Sequence, residues 1–113
     1  MIARIWRGVT PAEKSERFLQ QLEKTGVRDC RATPGNRGVF VLRRAAEGRA
    51  EYLFISLWDS VEAIGRFAGP DIERAVYYPE DREFLLELEP HVAHYEVAAA
   101  PGRALFEEAF RPE

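Results

Sequence analysis

The sequence has very little of what metal and redox sites are made from. It holds one cysteine, Cys30, and two histidines among 113 residues. One cysteine excludes an internal disulfide and any cysteine-based zinc site, and a reducing, cytoplasmic setting is expected. His91 and His94 stand three apart in a stretch that reads as a strand. Strand geometry sends them to opposite faces, so they make no metal pair. No uncharged apolar run approaches the roughly 18 residues needed to cross a bilayer, and no membrane partner is expected. The opening "MIARIWRGVTP" is too short and too charged for a signal peptide. No glycine-rich phosphate loop occurs. Ser56 lacks the flanking glycines of a nucleophile elbow, which removes a hydrolase triad. The 16 basic and 19 acidic residues are interspersed, for a formal charge of −3. Without a basic stripe there is no footprint for nucleic acid, and without an acidic block none for a disordered tail.

What remains is a hydrophobic share of 46%, enough for the core of one domain. "IARIWRGV" (Ile2–Val9) reads as a strand. Thr10, Pro11 and Glu13 then have the spacing of a capping box with proline at the first helical position. Phe18, Leu19 and Leu22 form the stripe of that helix, and Gly26 is the expected stop. "RDCRATPGNRG" has turn chemistry, which puts Cys30 in a polar loop as an incidental thiol. Val39–Ala45 and Ala50–Trp58, joined at Gly48, read as a hairpin. Asp59 with Glu62 predicts the start of a second helix, whose stripe is Val61, Ile64, Phe67 and Ala68. Gly69-Pro70 interrupts it. Asp71 can restart a turn carrying Ile72 and Val76, and "EDREFLLELE" predicts a short helix. His91–Ala99 closes as a strand, and "RALFEEAF" is a short amphipathic segment.

The order β-α-β-β-α-β is that of an α+β, ferredoxin-like fold with an antiparallel sheet. Along Ala50–Trp58, Leu53, Ile55 and Leu57 point one way. They are the natural face for the helices. Tyr52, Phe54, Ser56 and Trp58 point the other way, as do Ile2, Arg4 and Trp6 on the first strand. A sheet that is apolar on both faces must be covered on both. A second copy packed sheet to sheet would supply that cover, giving a homodimeric barrel with room for a small apolar ligand. On this reading Arg4 needs a partner: Glu96 on the neighbouring last strand is the expected one, and a ligand anchored by Arg4 is the alternative.

The strand-then-"LWDS" junction (Leu57–Ser60), the "EAIGRF" helix (Glu62–Phe67) and the final "HYEV" (His94–Val97) resemble the antibiotic biosynthesis monooxygenase domains of the dimeric α+β barrel superfamily. The resemblance spans about residues 2 to 98, within a domain drawn at 1–100. Residues 101–113 are left as a tail, helical and packed on the dimer partner. It implies homodimers with a pocket between the sheet and the second helix, and cofactor-independent oxidation of aromatic or quinol-type substrates by O2. It also implies relatives that degrade haem, and many with no established activity. The haem-degrading branch carries a Trp in the second helix, a His ten residues later as iron ligand and an Asn on the first strand. Here Phe67 and Tyr77 take the first two places and Ile2–Val9 holds no Asn. These departures argue against haem, and no cofactor is expected.

For the monooxygenase branch the resemblance implies polar groups beside aromatics. His94, Arg82 and Tyr77 are the catalytic candidates: His94 as acid or base, Arg82 as the charge that stabilises a phenolate. Trp6, Phe54, Trp58, Phe67 and Tyr78 are the substrate-binding candidates, around a small aromatic ligand. Of the adjacent Tyr77 and Tyr78, one is expected to face the pocket. Each also has a plain packing explanation, since burial of a ring suffices to account for an aromatic residue. The rival reading is a non-catalytic ligand-binding or stress-related dimeric barrel.

Overall fold

The computed structural model describes residues 1–102. Strand β1 (Ile2–Pro11) leads through a 3-10 turn, Ala12–Lys14, into helix α1 (Ser15–Leu22). The helical path widens to π geometry over Glu23–Val27 and continues as α2 (Arg28–Ala32). Strands β2 (Asn36–Ala46) and β3 (Arg49–Trp58) form a hairpin, followed by α3 (Val61–Ala68). Residues 69–78 form a strip without regular secondary structure, turned at Asp71–Arg74, that packs back against the sheet side holding Arg4. A 3-10 turn, Pro79–Glu83, and strand β4 (Ala93–Glu96) complete the chain. The four strands are antiparallel in the order β2-β3-β1-β4, which is the ferredoxin-like arrangement. Among the described residues no helix is long and apolar enough to cross a membrane.

Several local expectations are corrected. The capping box at Thr10 does not form, because β1 pairs with β3 out to Pro11. The Thr10 hydroxyl donates instead to the Pro11 carbonyl at 3.0 Å. Ser60, not Asp59, caps α3, its Oγ accepting from the Ala63 amide at 3.1 Å. Asp59 pairs with Arg37. Gly26 does not stop the helix. It lies buried against Phe54, where a Cβ would come within 2.9 Å of the ring, so its role is close approach. The helical path ends at Thr33, which is extended. Cys30 therefore sits on α2, fully buried, and not in a polar loop. The helix expected over residues 80–89 is only the short turn Pro79–Glu83, and the last strand only Ala93–Glu96. The tail expected to pack on a partner begins at residue 101 and lies, from 103 onward, outside the described residues.

The largest correction concerns the sheet faces. Tyr52, Phe54, Ser56 and Trp58 lie under the helices, packed with Trp6, Phe18, Leu22 and Ile64 in one core. Their polar ends are satisfied inside: Tyr52 Oη donates to the Ser15 carbonyl at 2.8 Å and Trp58 Nε1 to Ser56 Oγ at 2.8 Å. Large rings with a satisfied polar atom suit the deep layer, which offers both volume and partners. By alternation the open face carries Ile5, Phe40, Leu42, Leu53, Ile55 and Leu57. That face mixes these apolar residues with the ion pairs of Arg7 and Arg44 to Glu51, so the two faces are exchanged relative to the expectation.

Candidate functional site

A cavity lies between the helix-side face of the sheet, α1–α2 and the strip 69–78. Its walls are Trp6, Phe18, Leu22, Gly26, Phe54, Phe67 and Val76, with Arg4, Cys30, Ser56, Tyr78 and Asp81 as the polar lining. The space open to the centre of a water molecule is about 30 Å³. One water needs roughly 10–15 Å³ on that measure, so the partly open cavity holds about two. A ligand larger than that must project through the open side or displace part of the wall.

β1 supplies Arg4 and Trp6, and β3 supplies Phe54 and Ser56, because even-numbered residues on both strands face the helices. Arg4 is 5% exposed. One Nη2 hydrogen bonds to the Arg74 carbonyl at 2.7 Å and reaches the Ile72 carbonyl at 3.5 Å, while its buried Nε has no partner. Its guanidinium lies over the Phe67 ring, 5.7 Å from the centroid. Burial pushes its pKa down. The ion pair expected with Glu96 is not formed: Glu96 is exposed and Arg4 instead holds the strip by its carbonyls.

Asp81 is 6% exposed, and burial raises its pKa, against the opposing pull of the Tyr78 amide. That amide donates to Asp81 Oδ2 at 2.8 Å, and the Asp81 amide donates back to the Tyr78 carbonyl at 3.0 Å. Pro79 between them fixes the turn. The Tyr78 hydroxyl donates to Asp29 Oδ2 at 2.6 Å. Burial, then this bond to a carboxylate, pushes the Tyr78 pKa up, and the same bond holds Asp29 below its usual range. The proton stays on the tyrosine. Burial pushes the Cys30 thiol up to about 12. A thiol that stays protonated is a poor nucleophile.

The candidates from the sequence separate into two groups. Trp6, Phe54, Phe67 and Tyr78 meet at the cavity. Trp58 lies one layer behind, stacked on Phe67 with centroids 6.0 Å apart. Tyr77 turns away from the cavity: its hydroxyl donates to the Glu89 carbonyl at 2.6 Å and accepts from Trp6 Nε1 at 3.1 Å. Arg82 is exposed. His94 pairs across the sheet with Arg4, outside the cavity lining. Burial and the Arg4 charge lower its pKa, and its ring nitrogens are buried without hydrogen bonds, Nδ1 lying 4.0 Å from Glu73 Oε1. Of the polar lining, Arg4, Cys30, Ser56 and Asp81 were not among the site candidates selected from sequence. For Asp81 a signal existed: Tyr78-Pro79 followed by an acid at the third helical position is the pattern of a capped turn. Among the described residues no cluster of three or more metal-ligating side chains occurs.

The sequence profile of the antibiotic biosynthesis monooxygenase family matches residues 1–74. The chain belongs to the antibiotic biosynthesis monooxygenase family. The matched span carries Arg4, Trp6, Phe54, Ser56 and Phe67, while Val76, Tyr78 and Asp81 fall beyond it. Solved structures of similar fold include a candidate antibiotic biosynthesis monooxygenase from Nitrosomonas europaea. It is 14% identical with a TM-score of 0.62, over 88% of this chain and 100% of that one. Rv0793 from Mycobacterium tuberculosis is 21% identical, TM-score 0.56, over 88% and 97%. The heme-degrader MhuD from the same organism, with two hemes bound in its active site, is 18% identical, TM-score 0.52, over 88% and 98%. At these identities the likeness shows the fold. No curated protein matches the sequence.

Proposed function

We propose that the chain is a cofactor-independent monooxygenase that oxidises a small aromatic or quinol-type substrate with O2 in the cavity between the sheet and the strip after α3. The observation that supports this most is Asp81: a buried carboxylate of raised proton affinity at the wall of an aromatic cavity. A base in that setting is suited to a phenolic proton. Removing it spreads charge onto the ring carbon para to the hydroxyl. That carbon passes its electrons to O2 and forms a C–O bond as a hydroperoxide. Loss of water then leaves a ring carbonyl, with one oxygen atom in the product and the other in water. Trp6, Phe54 and Phe67 would hold the ring and exclude bulk water. In this reading Asp81 takes the base role first assigned to His94, and Arg4 the charge role assigned to Arg82.

The residues present do not fit haem. At the place of the iron ligand Tyr77 spends its hydroxyl on Glu89 and Trp6. The space open to a water centre in this partly open cavity is about 30 Å³, far from the roughly 300–1,000 Å³ of small-molecule sites. The same small cavity supports a second reading, a dimeric barrel that binds a ligand or none without turnover. Oxygen uptake by the purified protein with a panel of quinols and anthrones separates the two. Uptake above the uncatalysed rate is expected, and its absence across the panel would remove the enzymatic reading.

We further propose that the open face closes a homodimer. Leu53 and Ile55 beside Phe40 and Leu42 make an apolar surface of the kind that marks an interface, whereas Leu57 is already covered within the chain, next to Met1 and Val97. Sedimentation at micromolar concentration is expected to give twice the chain mass, and Ile55→Lys, which puts a charge at that surface, the mass of one chain. A wild-type monomer would sink the idea.

A further inference from the structure

Arg4 carries a charge that nothing in the described fold neutralises. It is 95% buried by its 5% exposure, yet forms no ion pair among the described residues. Its bonds go to backbone carbonyls, which carry partial charges only. Each nearby acid is otherwise engaged. Glu96 is exposed. Glu73 lies against His94. Asp81, on the same cavity, binds the Tyr78 amide. Cys30 interacts with Arg4 but remains a neutral thiol. His94 adds no negative charge. A buried cation is costly unless it is paired. Here the unpaired Nε belongs to a residue of the cavity lining.

We propose that Arg4 is the anchor for an anion, so that the ligand of this cavity is a planar aromatic compound carrying a carboxylate, ionised at neutral pH, beside the phenol that reacts. This deepens the reading of the cavity as the substrate site and rests on it. Guanidinium is planar and matches carboxylate-like anions with directed N–H donors. Phe67 already stacks near the guanidinium, and Trp6 and Phe54 continue the aromatic wall. An acid group on Nε would leave the attached ring among those three side chains. Such a ring exceeds the present water-sized space, so it either projects through the open side of the cavity or shifts the strip that supplies Val76 and Tyr78. That strip leaves α3 at Gly69, whose φ of 87° favours glycine. Arg4 holds it at the Arg74 carbonyl, so a bound anion takes over part of Arg4's present bonding.

The test is calorimetric titration at pH 7 with 2-naphthoate and 2-naphthol. They share a ring system, but a simple phenol, with a pKa of about 10, stays neutral at that pH. Naphthoate is expected to bind at least tenfold more tightly than naphthol. Arg4→Met should erase the difference, and Arg4→Lys, which keeps the charge without the fork, should keep part of it. Equal affinities in the wild type, or no binding of naphthoate, would overturn the proposal. Should Arg4→Met not fold, the wild-type comparison decides alone. Naphthoate has no hydroxyl to oxidise, so the result is independent of turnover. Naphthoate preference without oxygen uptake by any quinol would leave the anion site standing and remove the monooxygenase. Oxygen uptake without naphthoate preference would do the reverse.

Discussion

Asp81→Asn should lower kcat roughly 10²–10⁴-fold on whichever quinol supports oxygen uptake, the usual scale for loss of a general base. The substitution keeps the local fold. An asparagine Oδ1 can still accept from the Tyr78 amide, and the backbone bond from the residue 81 amide to the Tyr78 carbonyl is untouched. The stability readout has a definite sign. Burial raises the Asp81 pKa, so folding favours its protonated form. Above the folded pKa the ionised carboxylate therefore costs stability, and a neutral asparagine removes that cost. Tm at neutral pH should hold or rise while kcat falls. A residue that only capped the turn would behave in the opposite way, with Tm falling and kcat following it. The pH profile gives a third readout. Wild-type kcat should decline as pH falls through the raised Asp81 pKa, because the base becomes protonated, and the variant's residual rate should lose that dependence. Wild-type rates in the variant would end the assignment.

Trp58→Ala should cost about 3–5 kcal/mol, the range for truncating a large buried aromatic side chain. A domain of this kind has about 5–15 kcal/mol in total, so much of the chain would be unfolded at moderate denaturant. Trp58 is fully buried. It pairs in register with Ile2 on one side and Asn36 on the other, so its ring sits where three strands meet. Removing it leaves a cavity behind Phe67 and takes away the donor to Ser56 Oγ. Ser56 and Phe67 both line the candidate site, so the site should loosen along with the fold. The urea midpoint measures this directly. Trp58→Phe, which keeps a ring but not the N–H, should recover most of the loss. A midpoint within about 0.5 kcal/mol of wild type for the alanine variant, the usual scale of a surface change, would show that Trp58 does not carry this load.

Much of the fold was legible because its causes are local. The alternation in Ile2–Val9 and Ala50–Trp58 is a period-two signal that needs no distant contact to be read, and both segments are strands. Gly48 gave the hairpin, and the stripe of Ile64, Phe67 and Ala68 gave α3, although Val61, expected in that stripe, faces solvent. Local cues failed where two of them competed. Thr10 and Pro11 have the residues of a cap, but ladder bonds to Ala50 and Arg49 hold them in the sheet. Gly26 looks like a stop, yet its missing side chain serves Phe54.

The choice of face could not be read from the strand. Leu53, Ile55 and Leu57 and the set Tyr52, Phe54 and Trp58 are both apolar, and alternation says only that they differ. What decided it was volume and partners under the helices: Ser15 for Tyr52 and Tyr77 for Trp6. The same holds for the site. The sequence by itself determined that the chain is an α+β domain with two largely apolar strand faces, with aromatics gathered near residues 58–78 and too few cysteines for a cysteine-based zinc site. Only the tertiary structure brought Arg4 from the first strand and Asp81 from a turn 77 residues later to one cavity. It also left Arg4 without a countercharge and turned Arg82 to solvent. Burial and charge pairing depend on segments far apart in the chain, and no local pattern encodes them.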